Sequence, residues 1–433
     1  MNISIITLFP DLYNSFLQTS LIGRAIQRGL VDIKLKNLFD YSQAKSRIDA
    51  PVFGHNAGML IKPNVIENAI LEQDKSYNKS YKIFFSPQGK KLDQNVLKQI
   101  LLKPNIMLLP ARYEGMDNRV EEVYSDLTIS IGDYVLMGGD LPAMVLLEGL
   151  IRLLPDVVSS QESIDQESFA GPFLDHPSYT VPVVWNGLQV PDVIRSGHHK
   201  EILNWQREFS IKKTIYNNFD WLKSHVKNID DIKDTAKYLP SHYVVLMHDQ
   251  VIVDDERIGA SSVTSLDIHD IARSACTYGL KKYFIVSPLP DQQKIVNKLL
   301  NFWLDSVGIN YNFSRHQAMK NVILCSSIEE VIARIEEFED NNTPILIATT
   351  AKIKNLADNR SNVINYYDQE TVWANKKPVL FVLGTARGLS NGILDRCDYL
   401  LEPVRGFSDY NHLSVRSAAA VIFDRWFGIN SKI

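Results

Sequence analysis

The sequence predicts an α/β protein made of two related α/β domains with a helical segment between them. Residues 1–150 alternate short apolar runs, such as Ile3–Leu8, Val31–Leu38, Tyr81–Ser86 and Ile106–Leu109, with longer amphipathic ones such as Leu12–Gln27 and Val96–Leu102. The same rhythm restarts after Leu239-Pro240, with His242–Met247, Tyr283–Ser287, Val322–Ser326, Pro344–Thr349 and Val379–Leu383 as strands, and helices between them. Strands at helical spacing are joined by right-handed parallel crossovers, which puts ligand loops at the carboxyl ends of the strands.

Three such ends in the first domain carry loop chemistry. They are Phe85-Ser86-Pro87-Gln88-Gly89, Pro110-Ala111-Arg112-Tyr113-Glu114-Gly115, and the stretch Ser130–Met144. In the last of these, Gly132, Gly138 and Gly139 permit positive φ or close approach of another molecule. Pro142 suits the first turn of the apolar run that follows. The three ends together are expected to form one pocket whose grip is mostly backbone.

Between the domains, Ser159–Gly171 is polar and acidic, the composition of a flexible linker. A helical segment is expected from about Asp175 to Leu239. Its part from Arg195 to Lys227 carries seven basic side chains against three acidic ones, interleaved with Trp205, Phe209, Tyr216, Phe219 and Trp221. A local basic face with aromatics suits phosphates and unpaired bases. The competing reading is a small helical domain with an aromatic core and solvated lysines.

Composition narrows the class. The chain has 433 residues, 45% hydrophobic and 22% charged, with a net charge of −4, which gives no global signal for nucleic acid. No apolar run reaches the roughly 20 residues of a membrane helix, and the start MNISIITLFPD is a strand pattern without a basic leader region. The expected compartment is the cytoplasm, with no membrane partner. Cys276, Cys325 and Cys397 are far apart and form no zinc or disulfide pattern. The pairs His248-Asp249 and His269-Asp270 do not make a coordination sphere, so no metal site is assigned to them. Phosphate-loop, dinucleotide and hydrolase-elbow signatures are all absent.

An internal repeat links the two domains. Ile106–Arg112, followed by Gly115, Asp126-Leu127 and a glycine loop, parallels Val379–Leu383, followed by Gly384-Thr385-Ala386-Arg387-Gly388, Asp398-Tyr399 and the loop Glu402–Asn411. The offset is 272 to 275 residues, which indicates two related domains.

The motifs ITLFPDLY, IGRAIQRGL, SPQGKKLDQ, RYEGMDNRV, SIGDYVLMGGDLPAM, ESF, the PSYT after Asp175, and SGHHKEI occur in order. Together they resemble the bacterial tRNA guanine-N1 methyltransferases of the TrmD type. The stretches LDIHDIARSACTYGL, LGTARGL and LEPVRGFSDYNHLSVRSAAA resemble a second RNA methyltransferase domain of the SPOUT superfamily. The resemblance implies two trefoil-knotted SPOUT domains joined by a small helical domain, homodimerisation, S-adenosylmethionine as methyl donor, tRNA as substrate and Mg²⁺ as a helper ion. The implied division is 1–158 for the first knot, 159–174 for a linker, 175–240 for a helical tRNA-binding domain and 241–433 for the second knot.

Guanine N1 is protonated and a poor nucleophile, so its methylation needs a base for that proton and a cation or donor for charge developing on O6. By resemblance the base is Glu167, standing where the family has Asp, with Asp165 and Asp175 in reserve. Arg152 is the implied O6 partner; taken alone, it also reads as an i,i+4 pair with Glu148. Glu114 is the implied cofactor-side carboxylate. The implied contacts to the donor are Ser86, Pro87, Gly89, Tyr113, Ile131, Gly132, Tyr134, Leu136, Gly138, Gly139 and Pro142. In the second domain they are Gly384, Thr385, Gly388, Pro403, Leu413 and Ser414. Arg273 and Asn411 fall where related ribose methyltransferases keep an arginine and an asparagine. Departures from the TrmD pattern lie at Val52–Met59, Ala111 and Val181. A non-catalytic RNA-binding scaffold, with the second knot serving for dimerisation, is the alternative; a nucleotide-binding regulator is a third reading.

Overall fold

The computed structural model describes residues 1–43, 46–54, 58–77, 79–158, 167–254, 257–351 and 362–430. The chain divides into two compact units, Met1–Ala170 and Gly171–Ile433. Both are α/β, and each is built on a parallel sheet.

In the first unit the sheet strands are β1 (Asn2–Thr7), β2 (Asp32–Asn37), β3 (Tyr81–Lys91), β4 (Asn105–Leu109) and β5 (Leu127–Ser130), in the spatial order β2-β1-β4-β3-β5. All pairings are parallel. Side chains alternate between the two faces. Ile3, Ile5, Ile83, Ile106 and Leu108 enter one core and Ile6, Phe84, Met107 and Leu109 the other. Both faces are therefore covered by helices, which is why these strands read as continuous apolar runs rather than as alternating ones.

Helix α1 (Asp140–Arg152) follows β5 and buries Ala143, Leu146, Leu147, Leu150 and Ile151 under the sheet. The apolar run Ile129–Met137 is strand only at its start, for β5 ends at Ser130, whose Oγ bonds within the Gly132 turn. The helix starts at Asp140, with Pro142 in its first turn as expected.

Among the described residues, the main sheet of the second unit has seven parallel strands: β6 (His242–Met247), β7 (Lys282–Val286), β8 (Val322–Cys325), β9 (Ile345–Thr349), β10 (Val363–Ile364), β11 (Val379–Gly384) and β12 (Tyr399–Leu401). Their order is β8-β7-β6-β11-β9-β12-β10. The inner five, β7-β6-β11-β9-β12, repeat the spatial order of the first sheet, with β8 and β10 added at the two edges.

Helices α2 (His199–Asn217) and α3 (Phe219–His225) belong to this second core. Ile211, Ile215, Phe219 and Leu222 cluster with the β6 and β11 side chains, and Phe219 meets Trp373 edge-on at 4.8 Å. Within the basic stretch, Lys223 is buried rather than solvated; its Nζ lies 2.8 Å from Asp220. The segment expected to be helical from Asp175 instead carries a short hairpin, Val184–Trp185 against Leu188–Gln189. The physical reason is the Asn186-Gly187 pair, with φ of +49° and +77°, a two-residue turn that forces strands to reverse. Helix begins only at Asp192, after Pro191.

Candidate methyl-transfer sites

The first unit brings the three glycine-bearing strand ends together. The Pro110–Gly115 loop lies against Gly138 and Gly139: the Gly139 amide donates to the Ala111 carbonyl at 2.7 Å, and Arg112 and Gly138 form an isolated antiparallel bridge. A side chain at Gly139 would put its Cβ 2.8 Å from both Ala111 N and Pro110 Cα, so only glycine lets the two loops close. Gly89, in the irregular register between β3 and β5, is equally confined, 2.7 Å from the backbone of Thr128 and Ile129. Tyr113 holds a left-handed φ of +59° and is half exposed, as are Tyr134 and Leu136 beyond Gly132. Ile131 is partly buried against the core and Pro142 is fully buried.

What fixes this loop pair is a buried carboxylate that the sequence did not flag. Asp140, at the start of α1, accepts from Thr7 Oγ1 at 2.6 Å and Tyr13 OH at 3.1 Å, and from Arg112 Nε at 2.9 Å. Arg112 also stacks over Phe9, 4.8 Å from the ring centroid. Asp140 is 1% exposed and sits at a helix N-terminus, which favours its charge. Burial first, and then the Asp140 charge, raise the Tyr13 hydroxyl far above the ordinary phenol range, so it stays a donor. The end of β1, the end of β4 and the start of α1 are thereby tied at one point.

Beyond these loops, Arg152 at the end of α1 forms an ion pair with Glu167; among the described residues this is its carboxylate partner, in place of the Glu148 alternative. Glu114 donates its amide to the Met59 carbonyl at 3.1 Å, beside the start of the short strand Met59–Ile61. Of the reserves for the base, Asp175 lies in the second unit, where its carbonyl accepts from Lys213, and Asp165 lies outside the described residues. No group of three or more potential metal-ligating side chains occurs among the described residues. Glu114 alone does not make a magnesium shell.

In the second unit a cavity of about 850 Å³ opens at the carboxyl ends of β6, β9 and β11. Gly384, Thr385, Gly388, Leu413 and Ser414 line it, while Pro403 lies between two lining residues, Glu402 and Val404. Gly384 is confined by the Leu389 amide, 2.7 Å from where a Cβ would be. Asn411 also lines the cavity, its amide bonded to the Ala351 carbonyl at 3.0 Å. Arg273 is not among the lining residues; the cations there are Arg387 and Arg416, the latter 3.3 Å from Asp267 and 3.5 Å from Asp270. His248 lines it as well.

Residues 1–224 match the family model described as tRNA (Guanine-1)-methyltransferase TrmD, more than half of the chain. The chain belongs to this family. Residues 241–428 match a second model, SAM-dependent RNA methyltransferase, so the TrmD-type domain is followed by a second methyltransferase domain. The tRNA (guanine-N(1)-)-methyltransferase of Oleidesulfovibrio alaskensis is 35% identical over 99% of both chains, and that of Nitratidesulfovibrio vulgaris 34% over 99% of both. These two relatives share the two-domain length. The Clostridioides difficile protein of the same name is 39% identical over 52% of this chain and 98% of its own. A solved tRNA (m1G37) methyltransferase from Aquifex aeolicus aligns with a TM-score of 0.41 at 30% identity, over 47% of this chain and 87% of its own.

For a TrmD-type enzyme the chemistry asks for a donor cradle plus a base and a cation at the base edge. The cradle loops and the Arg152–Glu167 pair both lie in the first unit. Asp140, Thr7 and Tyr13 escaped sequence reasoning because they meet across 127 to 133 residues of chain. The only local trace of their role is an acidic residue directly after Gly138-Gly139.

Proposed function

We propose that the first unit methylates N1 of the guanosine immediately 3′ of the tRNA anticodon, position 37, with S-adenosylmethionine as donor. The observation that carries this is the Arg152–Glu167 pair. The guanine edge presents an N1–H donor beside an O6 acceptor, and a carboxylate joined to a guanidinium is the complementary arrangement. Glu167 takes the N1 proton while the N1 electron pair bonds to the sulfonium methyl. The methyl–sulfur bond breaks with its electrons passing to sulfur, leaving S-adenosylhomocysteine, and the Arg152 charge steadies the negative charge on O6.

The donor lies in the cradle of Ser86, Pro87, Gly89, Tyr113, Ile131, Gly132, Tyr134, Leu136, Gly138, Gly139 and Pro142. The close loop contacts at Gly89 and Gly139 support this reading, because they leave backbone amides as the gripping surface. Both units thread through SPOUT trefoil knots, a reading supported by their shared strand order. The exposed run Tyr134–Met137, with Leu141, supports a homodimer that closes over the cradle. The helical segment 175–240 contacts tRNA and the protein works in the cytoplasm; among the described residues no helix is long and apolar enough to cross a membrane. The second cavity takes S-adenosylmethionine through Gly384, Thr385, Gly388, Pro403, Leu413 and Ser414 and acts on RNA.

The test is mass spectrometry of tRNA incubated with the protein and isotopically labelled donor. Labelled 1-methylguanosine at position 37 is expected. A wild-type reaction that yields none would overturn the reading in favour of a non-catalytic RNA-binding scaffold.

A further inference from the structure

His248 follows the last residue of β6 and is 1% exposed, yet it lines the second cavity. Its surroundings fix its tautomer. Thr385 Oγ1 lies 2.8 Å from the Met247 carbonyl, which only accepts, so the threonine hydrogen is spent there. Ser261 Oγ, 2.5 Å from Thr385 Oγ1, must then donate to the threonine. With its own hydrogen committed, Ser261 accepts from His248 Nδ1, 3.0 Å away. The ring proton is therefore on Nδ1, and Nε2 carries a lone pair. Nε2 is buried and has no hydrogen-bond partner among the described residues.

A buried, unpaired acceptor costs free energy unless a ligand satisfies it. We propose that His248 Nε2 accepts a hydrogen bond from an amino or hydroxyl group of the adenine nucleoside bound in the second cavity. This rests on the reading of that cavity as a methyl-donor site. Burial holds the imidazole down at about 4, against the opposing pull of Asp267 and the Ser262 carbonyl, so the ring is neutral at physiological pH. A base so weak is a poor proton abstractor but a good reader of a neutral donor. Leu383, Ile422 and Val404 in the same lining suit a flat heterocycle. A nucleoside donor also loses less on leaving water than the ammonium of the amino-acid end would. Thr385 serves twice: its backbone belongs to the glycine loop, and its hydroxyl sets the histidine tautomer.

The experiment is equilibrium dialysis of the full chain with labelled S-adenosylhomocysteine. Wild type binds two equivalents, and Gly138→Val, which blocks the first cradle, leaves one. In that background His248→Phe weakens the remaining site by roughly 10- to 100-fold, the effect of stranding a buried donor, and His248→Gln recovers part of the loss through its amide oxygen. Adenosine alone shows the same sensitivity to His248→Phe. A wild type that binds one equivalent, lost in Gly138→Val, would mean that the cavity does not take the donor at all. Two equivalents with unchanged affinity in His248→Phe would overturn the role of His248 alone. Adenosine insensitive to the substitution would move the contact off the nucleoside and overturn the assignment. Should the variants not fold, ¹⁵N-histidine spectra of wild type decide. A buried histidine with Nδ1 protonated and a free Nε2 must appear, and that Nε2 signal must shift on adding S-adenosylhomocysteine. A protonated Nε2, or no shift, overturns the proposal.

Discussion

Replacing Asp140 by alanine removes the common acceptor of three donors while leaving the glycine loops themselves intact. Thr7 Oγ1 and Tyr13 OH are buried, and the Arg112 side chain is three-quarters covered. Water cannot replace the carboxylate without opening the core. Breaking a buried ion pair from one side costs about 3–5 kcal/mol, since the stranded guanidinium and hydroxyls remain in place. For a unit of this size each kcal/mol lowers the melting temperature by roughly 2–4 °C, so a drop of about 6–20 °C is expected in the first unit. Asp140→Asn keeps the shape but turns an N–H toward at least one donor, and about half that loss is expected. Calorimetry of the full chain gives the assay, the first unit's transition being the one whose response to S-adenosylmethionine is lost in Gly138→Val. Because Arg112 precedes Tyr113 and Glu114 and bridges Gly138, donor affinity at that cradle should fall together with stability. If Asp140→Ala melts within 2 °C of wild type, the claim that this carboxylate pins the loops is wrong.

Other substitutions test separate links. Glu167→Gln should lower methyl transfer at least 100-fold with donor binding unchanged; turnover near wild type in a single-turnover assay would remove Glu167 as the base. Gly139→Ala drives a Cβ against the backbone of Ala111 and Pro110, and should weaken donor binding to the first cradle more than tenfold by dialysis; equal affinity would show that the loops give way. Acid should loosen the second unit. Burial lowers His242, whose Nδ1 bonds the Pro240 carbonyl, to about 3, and His248 to about 4. Their ordinary value is about 6.5, so stability is full above pH 6.5, where both are neutral folded or unfolded. It falls as pH drops toward 4 and 3, because the unfolded chain takes up protons that the fold resists, at about 1.4 kcal/mol per pH unit per group. Urea melts should therefore show the second unit losing about 4 kcal/mol between pH 7.5 and 5. A flat profile would contradict the burial of both rings.

Much of the scaffold was legible because it is local. The β3 and β4 runs, the glycine loops and the α1 start follow from patterns within a dozen residues. The Asn186-Gly187 hairpin was equally local and was outweighed by the helical rhythm of the segment around it. Lys223 shows the opposite limit. In sequence it belongs to a basic face, yet Phe219 and Leu222 insert into the second core and carry the lysine stem with them, its Nζ 5.3 Å from the Phe219 ring centroid. Nothing near Lys223 in the chain announces that core, whose walls come from Trp373 and Trp426, 150 residues and more away. Likewise the Glu167 partner of Arg152 stands fifteen residues off, beyond a helix end, where spacing rules favoured Glu148.

The two halves also show which part of a site a repeat preserves. Tyr113 and Gly115 have φ of +59° and +119°; 273 residues further on, Ala386 and Gly388 have +52° and +109°. A non-glycine residue in the left-handed region costs about 1 kcal/mol, so retaining it twice argues for a backbone shape under constraint rather than a drifting loop. Between those positions the side chains part company. Glu114 in the first loop has Arg387 as its counterpart, which pairs with Asp254 at 3.3 Å. A reversal of charge at the centre of a shared loop means that the two loops do not offer a ligand the same side-chain contacts. What the loops have in common is uncharged and made by backbone, the surface that suits a nucleoside. What differs is the set of charged side chains, an Arg152–Glu167 ion pair in the first unit and Arg416 beside Asp267 at the cavity of the second. The two domains thus keep a loop backbone and change the charged side chains around it, so the side chains of the first unit are no guide to the target of the second.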